Sequence, residues 1–557
     1  MSASAVNLDA LIPREDFDFV SDQPARRLDP SSPIKAASLA TGEALYALLR
    51  KPDFQRETAI WTPEKVRDLV LAFVEEDLVP ALILWRSPSN LLFVIDGAHR
   101  LSSLIAWVND DYGDGNISRA FFGPDIPDAQ RKAAAKAKQL IEKAVGPYHK
   151  IAAAFRDPNA SESEKQIAAQ LNYVSIVVQG LEGSSEKAER SFFKINEQGV
   201  SLDKTELTLL HSRRCPNAVA ARAIHHRGTG HPHWKQFPEP ERVEIEKFAK
   251  ETAQLLFDPP LLSNVLKTTE VPVAGKEQAA GALSLLLDTV NLTNGLGDSV
   301  VPKNREEAEK KMPPDVDGSQ TVALLKNTKK LLSRLSSGDT GSLDLHPFVY
   351  FYSDGGRHLP SSYLAVVEFI NRLEMEDRFK QFAFVRERFE DFLISGREYI
   401  PQQVRKARGE IKAVHLLAEY FRFCFEEFLK EGADSSSVSD AVGKQYPYLK
   451  PSAFDSTDYG TNFSAEAKNR LFINHSLEAA MRCSICRARI PNSGISYDHI
   501  QDKKNDGRGD EANIAATHTY CNNSKDQLLR YFASFKGRKQ VGEAESRHGN
   551  EEETVSD

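Results

Sequence analysis

The sequence is poor in cysteine. Five in 557 residues argue against a disulfide framework as the source of stability. Long apolar runs are missing too: nothing approaches the ~18 consecutive apolar residues of a membrane span. The start, MSASAVNLDALIPREDFDF, has no basic stretch leading into an apolar core, so a secretory signal is not expected. These absences point to a cytoplasmic protein with no membrane segment. A large charge excess is also lacking. A net charge of −8 does not by itself mark a nucleic-acid binder. What is present is ordinary for soluble proteins, 41% hydrophobic and 27% charged. The length allows about three or four domains, and no internal repeat is visible.

The few cysteines are unevenly placed. Cys215 and Cys424 are isolated, and Cys424 in YFRFCFEEF reads as a buried helix residue. Cys483, Cys486 and Cys521 fall within 39 positions of one another, which suggests metal binding. Charge is uneven in the same place. From Arg482 to Lys539 there are 11 Lys and Arg against 6 Asp and Glu, a net of +5 that leaves the remainder near −13. A basic module on an acidic body fits local contact with phosphates, although a solvated basic surface has the same composition.

Periodicity divides the chain. Residues 1–40 form a Pro- and Ser-punctuated segment, with DQPARRLDPSSP reading as loop. Residues 41–215 are mixed. TPEKVRDLVLAFVEE, RLSSLIAWV, AQRKAAAKAKQLIEKAV and SSEKAERSFFKI have helical spacing, and ALILW, LLFVI and YVSIVVQG suit strands. Residues 216–440 are helical throughout, from RVEIEKFAKETAQLLF to GEIKAVHLLAEYFRFCFEEFLKE. A linker is expected at 441–464, a C-terminal module at 465–540, and a disordered tail at 541–557, which holds six acids and one Arg.

Three fragments of the mixed region carry chemistry: PDFQRETAIW, VIDGAHRLSSL and FFKINEQGVSLDKTEL. The second reads as strand, tight turn and helix. A Gly after a strand lets the backbone turn closely, and the helix start presents free N–H groups to an anion. Asp96 suits a metal or a ribose hydroxyl, and His99 and Arg100 suit phosphate oxygens. Alone, such a turn is equally what an Asp cap and a surface Arg ion pair would produce. Together the three fragments resemble the DGQQR-motif family of the ParB/sulfiredoxin-like fold, over roughly residues 40–215. The match is carried by Phe54-Gln55-Arg56 with Trp61, by Asp96-Gly97-Ala98-His99-Arg100, and by Phe192, Asn196, Gly199 and Leu202. The resemblance implies a domain that binds and often hydrolyses nucleoside triphosphates, with Gln55, Arg56, Asp96, Gly97, His99, Arg100 and Asn196 at the ligand. Ala98-His99 replaces the usual Gln-Gln, which puts hydrolysis in doubt more than binding. Sulfiredoxin chemistry is not expected, because no cysteine precedes position 215.

The C-terminal spacing is C-x2-C-x31-H-x2-C, from Cys483, Cys486, His518 and Cys521. Two short-spaced pairs separated by a loop meet the four-ligand tetrahedral demand of structural zinc. Between them stand Asp498-His499 and Asn513, and Asn522 follows the last Cys. This pattern resembles the HNH (ββα-metal) nucleases. The resemblance implies that His499 is the general base, that Asp498 and Asn522 hold a catalytic Mg2+ or Mn2+ through oxygens, and that Asn513 orients the His ring or fixes the loop. Those residue types suit phosphodiester hydrolysis, which needs an activated water and a cation. Lys525, one turn after Asn522, is expected to meet a phosphate, and Asp502 and Asp510 stand as competing ligands. Neighbours in a strand point to opposite faces, so Asp498 and His499 serve one site only if the strand ends or bends there.

The expected fold is thus multidomain α+β: a ParB/sulfiredoxin-like mixed α/β domain, an all-helical middle and a zinc-stabilised ββα-metal module. The architecture resembles the GmrSD-type modification-dependent restriction proteins. That implies a nucleotide-regulated, metal-dependent DNA endonuclease or nickase in prokaryotic anti-phage defence. Its partners would be phage or modified DNA and a nucleotide of unknown identity, with homo-oligomerisation left open. Two other readings remain: a non-catalytic ParB-like DNA-binding switch with a zinc knuckle, and a nucleotidase with the zinc module as an adaptor.

Overall fold

The computed structural model describes residues 5–15, 33–52, 55, 58, 59, 61–122, 126, 128–198, 208, 209, 211–229, 232–261, 263, 265–277, 281–297, 305–407, 410–450 and 463–535. Phe54, Arg56, Gly199, Leu202, the side chain of Asn196, residues 451–462 and the acidic segment 541–557 lie outside the described residues. The chain divides into two compact units. One comprises Met1–Lys250, Gln278–Leu287 and Ser299–Leu324; the other comprises Glu251–Glu277, Asp288–Asp298 and Leu325–Asp557. The helical stretch 216–440 is shared between them. No helix among the described residues is long and apolar enough to cross a membrane.

The first unit is built on a mixed sheet of β1 (Arg14–Glu15), β2 (Leu49–Pro52), β3 (Leu82–Arg86), β4 (Leu92–Asp96) and β5 (Val178–Leu181), in the order β1-β2-β4-β3-β5. Only the β3–β4 pair is antiparallel; β1–β2, β2–β4 and β3–β5 run parallel. Alternation sorts the side chains of β3 and β4. Leu82, Leu84, Leu92 and Val94 join the main core, with Val66, Val70 and Phe73 of helix α1 (Pro63–Val74) and Leu101, Leu104 and Ile105 of α2 (Ala98–Asn109). Trp85, Phe93 and Ile95 face the other way, onto Ala188 and Phe192 of α3 (Ser185–Gln198). Helix α1 starts where the Thr-Pro signal places it. The Thr62 side chain accepts from the Lys65 N–H and Pro63 fills the first turn.

Residues 5–15 of the N-terminal segment 1–40, for which the sequence predicted no element, are a finding of the structure. They supply β1 and bury Val6, Leu8, Leu11 and Ile12 in the main core. Asp9 is buried there with two cations. Its Oδ1 lies 2.8 Å from Arg14 Nη2 and 2.6 Å from Lys51 Nζ, and it also accepts from the Thr58 N–H at 3.1 Å. Arg14 in turn donates to the carbonyls of Pro52 and Gln55, so this buried ion network fixes the segment that carries Gln55. Removing one partner of such a network leaves uncompensated charge, at a cost of about 3–5 kcal/mol. Asp9→Ala is therefore expected to lower the urea midpoint of this unit sharply. An unchanged midpoint would mean that Arg14 and Lys51 are not held as described.

The second unit is helical up to its C-terminal module. Helices α4 (Ser319–Leu335), α5 (Pro347–Tyr350), α6 (Pro360–Met375), α7 (Phe379–Ser395) and α8 (Glu410–Leu429) lead to α9 (Ala465–Ala479), with only residues 325–335 of α4 in this unit. Phe369 of α6 packs among Phe382 and Phe389 of α7 and Phe421 and Phe425 of α8. The buried face of α7 also holds a fully buried ion pair, Arg386 Nε to Glu390 Oε1 at 2.7 Å. The module itself is an antiparallel hairpin of β6 (Ile495–His499) and β7 (Ile514–His518), followed by α10 (Thr519–Asn523). A further helical run, 525–535, lays Phe532 and Phe535 against Phe384 of α7. The mixed α/β domain and the zinc-module ββα element are thus both present, and residues 216–440 contain no strand among the described residues.

Candidate active site

The hairpin brings the four metal-ligand candidates together. The donor atoms of Cys483, Cys486, His518 and Cys521 lie within 4.8 Å of one another, and all four residues are buried. Cys483 and Cys486 sit on a turn in which the Cys483 N–H bonds to the Ala488 carbonyl. His518 ends β7, and Cys521 is three residues on, inside α10. His518 Nε2 donates to the Arg489 carbonyl at 3.0 Å, because a carbonyl can only accept. In the neutral ring that a metal requires, Nδ1 is then the bare nitrogen, and it is turned to the sulfurs, 3.3 Å from Cys486 Sγ and 4.0 Å from Cys521 Sγ. A ligating His held through its other nitrogen is the usual support of a metal site. Hydrogen bonds with Cys486 and Cys521 hold the Cys483 thiol far below its usual range, while the bonds with Cys483 and Cys486 push the Cys521 thiol above its own, as crowded sulfurs sharing protons do. Three sulfurs and one imidazole at this spacing fit zinc.

The hairpin also sets out the acid, the imidazole and the carboxamides. Strand β6 ends at His499, paired with Ile514, and the chain bends at Ile500 and Gln501. The strand thus ends where a shared site requires it. Asp498 Oδ1 accepts the His499 backbone N–H at 2.8 Å. Its Oδ2 lies 2.8 Å from Lys525 Nζ, which also donates to the His499 carbonyl at 2.8 Å and to Asp502 at 3.3 Å. Lys525, expected to face a phosphate, is therefore tied to the end of β6. The hydrogen bond to Asp498 raises its pKa. The His499 ring is half-buried and makes no hydrogen bond with a described residue. Asn522 donates to Ser496 Oγ at 2.7 Å and to the Tyr497 carbonyl at 3.2 Å, one residue from Asp498. Asn513 bonds to the loop and not to the ring of His499. Its Oδ1 accepts from the Gln501 N–H at 2.6 Å, and its Nδ2 donates to the Arg508 carbonyl at 2.6 Å.

In the first unit, Gly97 has φ +96° at the end of β4, and a Cβ there would stand 2.4 Å from the Leu82 side chain. Only glycine makes this turn without strain. Arg100 pairs with Asp96 at 2.7 Å and donates to the Ala81 carbonyl at 3.1 Å. The bland alternative for this turn, an Asp–Arg ion pair, is thus part of its geometry. His99 stacks on Trp61, ring centroids 5.4 Å apart, which ties the PDFQRETAIW segment to the start of α2. Gln55 is buried, and its Oε1 makes no hydrogen bond with a described residue.

Residues 39–211 match the model of the GmrSD restriction endonuclease N-terminal domain, and residues 483–527 match that of the HNH endonuclease. The chain carries a GmrSD-type N-terminal domain and an HNH endonuclease domain. It is an enzyme of the phosphodiester hydrolase class through that HNH domain, restriction-like in its combination of parts. No curated protein and no solved structure matches the chain.

The HNH match begins at the first zinc-ligand candidate and ends two residues after Lys525. Residues that sequence reasoning passed over also shape the HNH site. Ser496 and Thr517 pair across the hairpin, and the Thr517 hydroxyl donates to the Ser496 carbonyl at 3.0 Å. Ser496 then receives Asn522. Alternation from Asp498 would have placed Ser496 on the same strand face, which is the signal that could have found it.

Proposed function

We propose that this protein is a nucleotide-regulated, metal-dependent DNA endonuclease or nickase that acts against phage DNA. The observation that carries the reading is the hairpin mouth: His499 at the end of β6, with Asp498 beside it and Asn522 reaching the same strand, above one Cys3His cage. His499 serves as general base toward the attacking water; its ring is not engaged by a described residue. Asp498 and Asn522 offer a carboxylate and a carboxamide oxygen, hard donors suited to Mg2+ or Mn2+. Such an ion, when bound, supplies positive charge to the phosphate and the leaving oxygen. Asn513 fixes the loop 500–513, whose Lys503, Lys504 and Arg508 add positive charge beside the substrate phosphates.

The GmrSD-type domain is the nucleotide sensor in this reading. The Gly97 turn and the start of α2, with Asp96, His99 and Arg100, make the anion-binding element of this reading, and the family resemblance assigns Gln55, Arg56 and Asn196 to the same ligand. Coupling a permissive nuclease to a ligand protects host DNA, provided the ligand binds the two states unequally. The test is cleavage of plain and modified phage DNA in Mg2+ or Mn2+, with and without each nucleoside triphosphate. Cutting that responds to one nucleotide supports the reading; a salt-dependent band shift on DNA that is never cut supports the binding-switch alternative. Arg100→Ala is expected to weaken nucleotide binding at least tenfold by calorimetry, the scale of one lost charge-assisted bond. Equal binding by parent and variant would remove Arg100 from the site.

A further inference from the structure

The HNH helix is capped from outside its own module. Helix α10 begins at Thr519, so its first N–H groups have no partner within the helix. The residue in the N-cap position is His518, whose side chain makes no cap bond. Its Nδ1 faces the sulfurs and its Nε2 is held by Arg489. A zinc ligand cannot also cap.

The missing cap comes from the segment between α4 and α5. Asp344 is fully buried and has φ +45°, an uncommon conformation for a residue with a Cβ. Its Oδ2 accepts both the Thr519 N–H, at 3.1 Å, and the Thr519 hydroxyl, at 2.9 Å. Its Oδ1 accepts the Ser342 hydroxyl at 2.6 Å and the Gly338 N–H at 3.1 Å. The Ser342 carbonyl takes the next helix N–H, that of Tyr520, at 2.9 Å. The same aspartate abuts the hairpin: a Cβ on Gly494, just before β6, would stand 2.5 Å from the Asp344 Cβ. One side chain therefore touches the entry to β6 and the start of α10, the two elements that carry Asp498 and Asn522.

Asp344 is itself held from α7. Arg386 donates to the carbonyls of Leu343 at 2.5 Å and Asp344 at 3.1 Å. Its partner Glu390 accepts the Arg489 N–H at 3.3 Å, and the Arg489 carbonyl orients His518. The buried pair on α7 thus supports both the cap and the ligand.

We infer that Asp344 is a positioning residue of the nuclease: it sets the height of α10, and hence Asn522 and Lys525, against the Asp498-His499 end of β6. This inference rests on the nuclease reading. It also gives part of the helical middle a role, as the seat that completes the HNH fold.

The experiment uses the full chain and compares the parent with Asp344→Asn and Thr519→Val in plasmid nicking, Mn2+ titration, zinc content and DNA band shift. Asp344→Asn keeps the shape but sets an amide donor against either the Thr519 N–H or the Gly338 N–H, whichever way the amide turns. It is expected to cut roughly 10- to 100-fold more slowly, the scale of a small misplacement at a reacting centre. It should need more Mn2+ for half-maximal rate, with zinc content and DNA affinity unchanged. Thr519→Val removes one bond at a partly exposed residue and is expected to shift rate and Mn2+ dependence in the same direction by less, even if Asp344→Asn does not fold. Combined with Asn522→Ala, Asp344→Asn should add little further loss, since it acts through Asn522. Parent-like rate and Mn2+ dependence in both variants would overturn the inference, as would a loss that merely tracks loss of zinc or is additive with Asn522→Ala. A parent chain that cuts no DNA under any condition would instead count against the nuclease reading itself.

Discussion

Replacing His499 with alanine is expected to slow plasmid nicking by about 10²- to 10⁴-fold, the usual worth of a positioned general base. The expectation comes from the ring's surroundings. Asp498 and Asn522 are both engaged by the protein, through Lys525 and through Ser496 and Tyr497. The His499 ring is not, although its backbone is held on both sides: Asp498 accepts from its N–H and Lys525 donates to its carbonyl. Such a ring stands on a held backbone and keeps its nitrogens for a water. Because its backbone makes the structural bonds, His499→Ala should keep zinc, unfolding midpoint and DNA band shift. The check is a rate comparison in Mn2+ at matched protein and zinc content. A variant that cuts within a few-fold of the parent would show that another group takes the proton.

Cys483→Ser is expected to be the most disruptive single change in the C-terminal module. Structural zinc contributes on the order of 10 kcal/mol to small modules, and a Ser oxygen is a poor replacement for a thiolate. Cys483 also sits in the small core with Cys486, Ile490, Cys521 and Leu528. The expected result is a fall from one bound zinc per chain to none, rapid proteolysis within 483–527, and loss of nicking. The rest of the second unit should keep its helical signal, because the phenylalanine core of α6, α7 and α8 does not depend on the metal. One zinc per chain retained in the variant would mean that the four side chains do not form the structural site.

The two experiments separate two metals. His499→Ala should lose cutting and keep zinc; Cys483→Ser should lose both. Added Mn2+ should rescue neither, since one lacks the base and the other lacks the scaffold.

Much of the site was legible in the sequence because short-range spacing encodes it. Two ligand pairs, each two residues apart, can sit on a turn and at a helix start, so C-x2-C and H-x2-C announce a cage before any fold is known. Asp498-His499 and Asn522 were singled out by the resemblance to the HNH nucleases, and the hairpin brings Asn522 to Ser496 and Tyr497, next to Asp498. Lys525 was read toward a phosphate, but one turn of helix brings it to Asp498 and the His499 carbonyl. A sequence gives the face of a lysine and not its partner. In the first unit, the continuous apolar runs ALILW and LLFVI were enough to mark strands, and the structure buries them on both faces. The burial of residues 5–15 was not legible, since a two-residue strand and a few apolar side chains leave no period to detect.

The sequence by itself determined which atoms could bind metal, where an acid and an imidazole would stand side by side, and which turn needs a glycine. These are properties of neighbours along the chain. Only the tertiary structure decided that Asp9 would sit between Arg14 and Lys51, and that Asp344 would cap a helix 175 positions further on. A buried carboxylate must find donors wherever the fold brings them, and a helix whose first position holds a metal ligand must take its cap from elsewhere. Neither need fixes a sequence separation, so neither leaves a spacing to read.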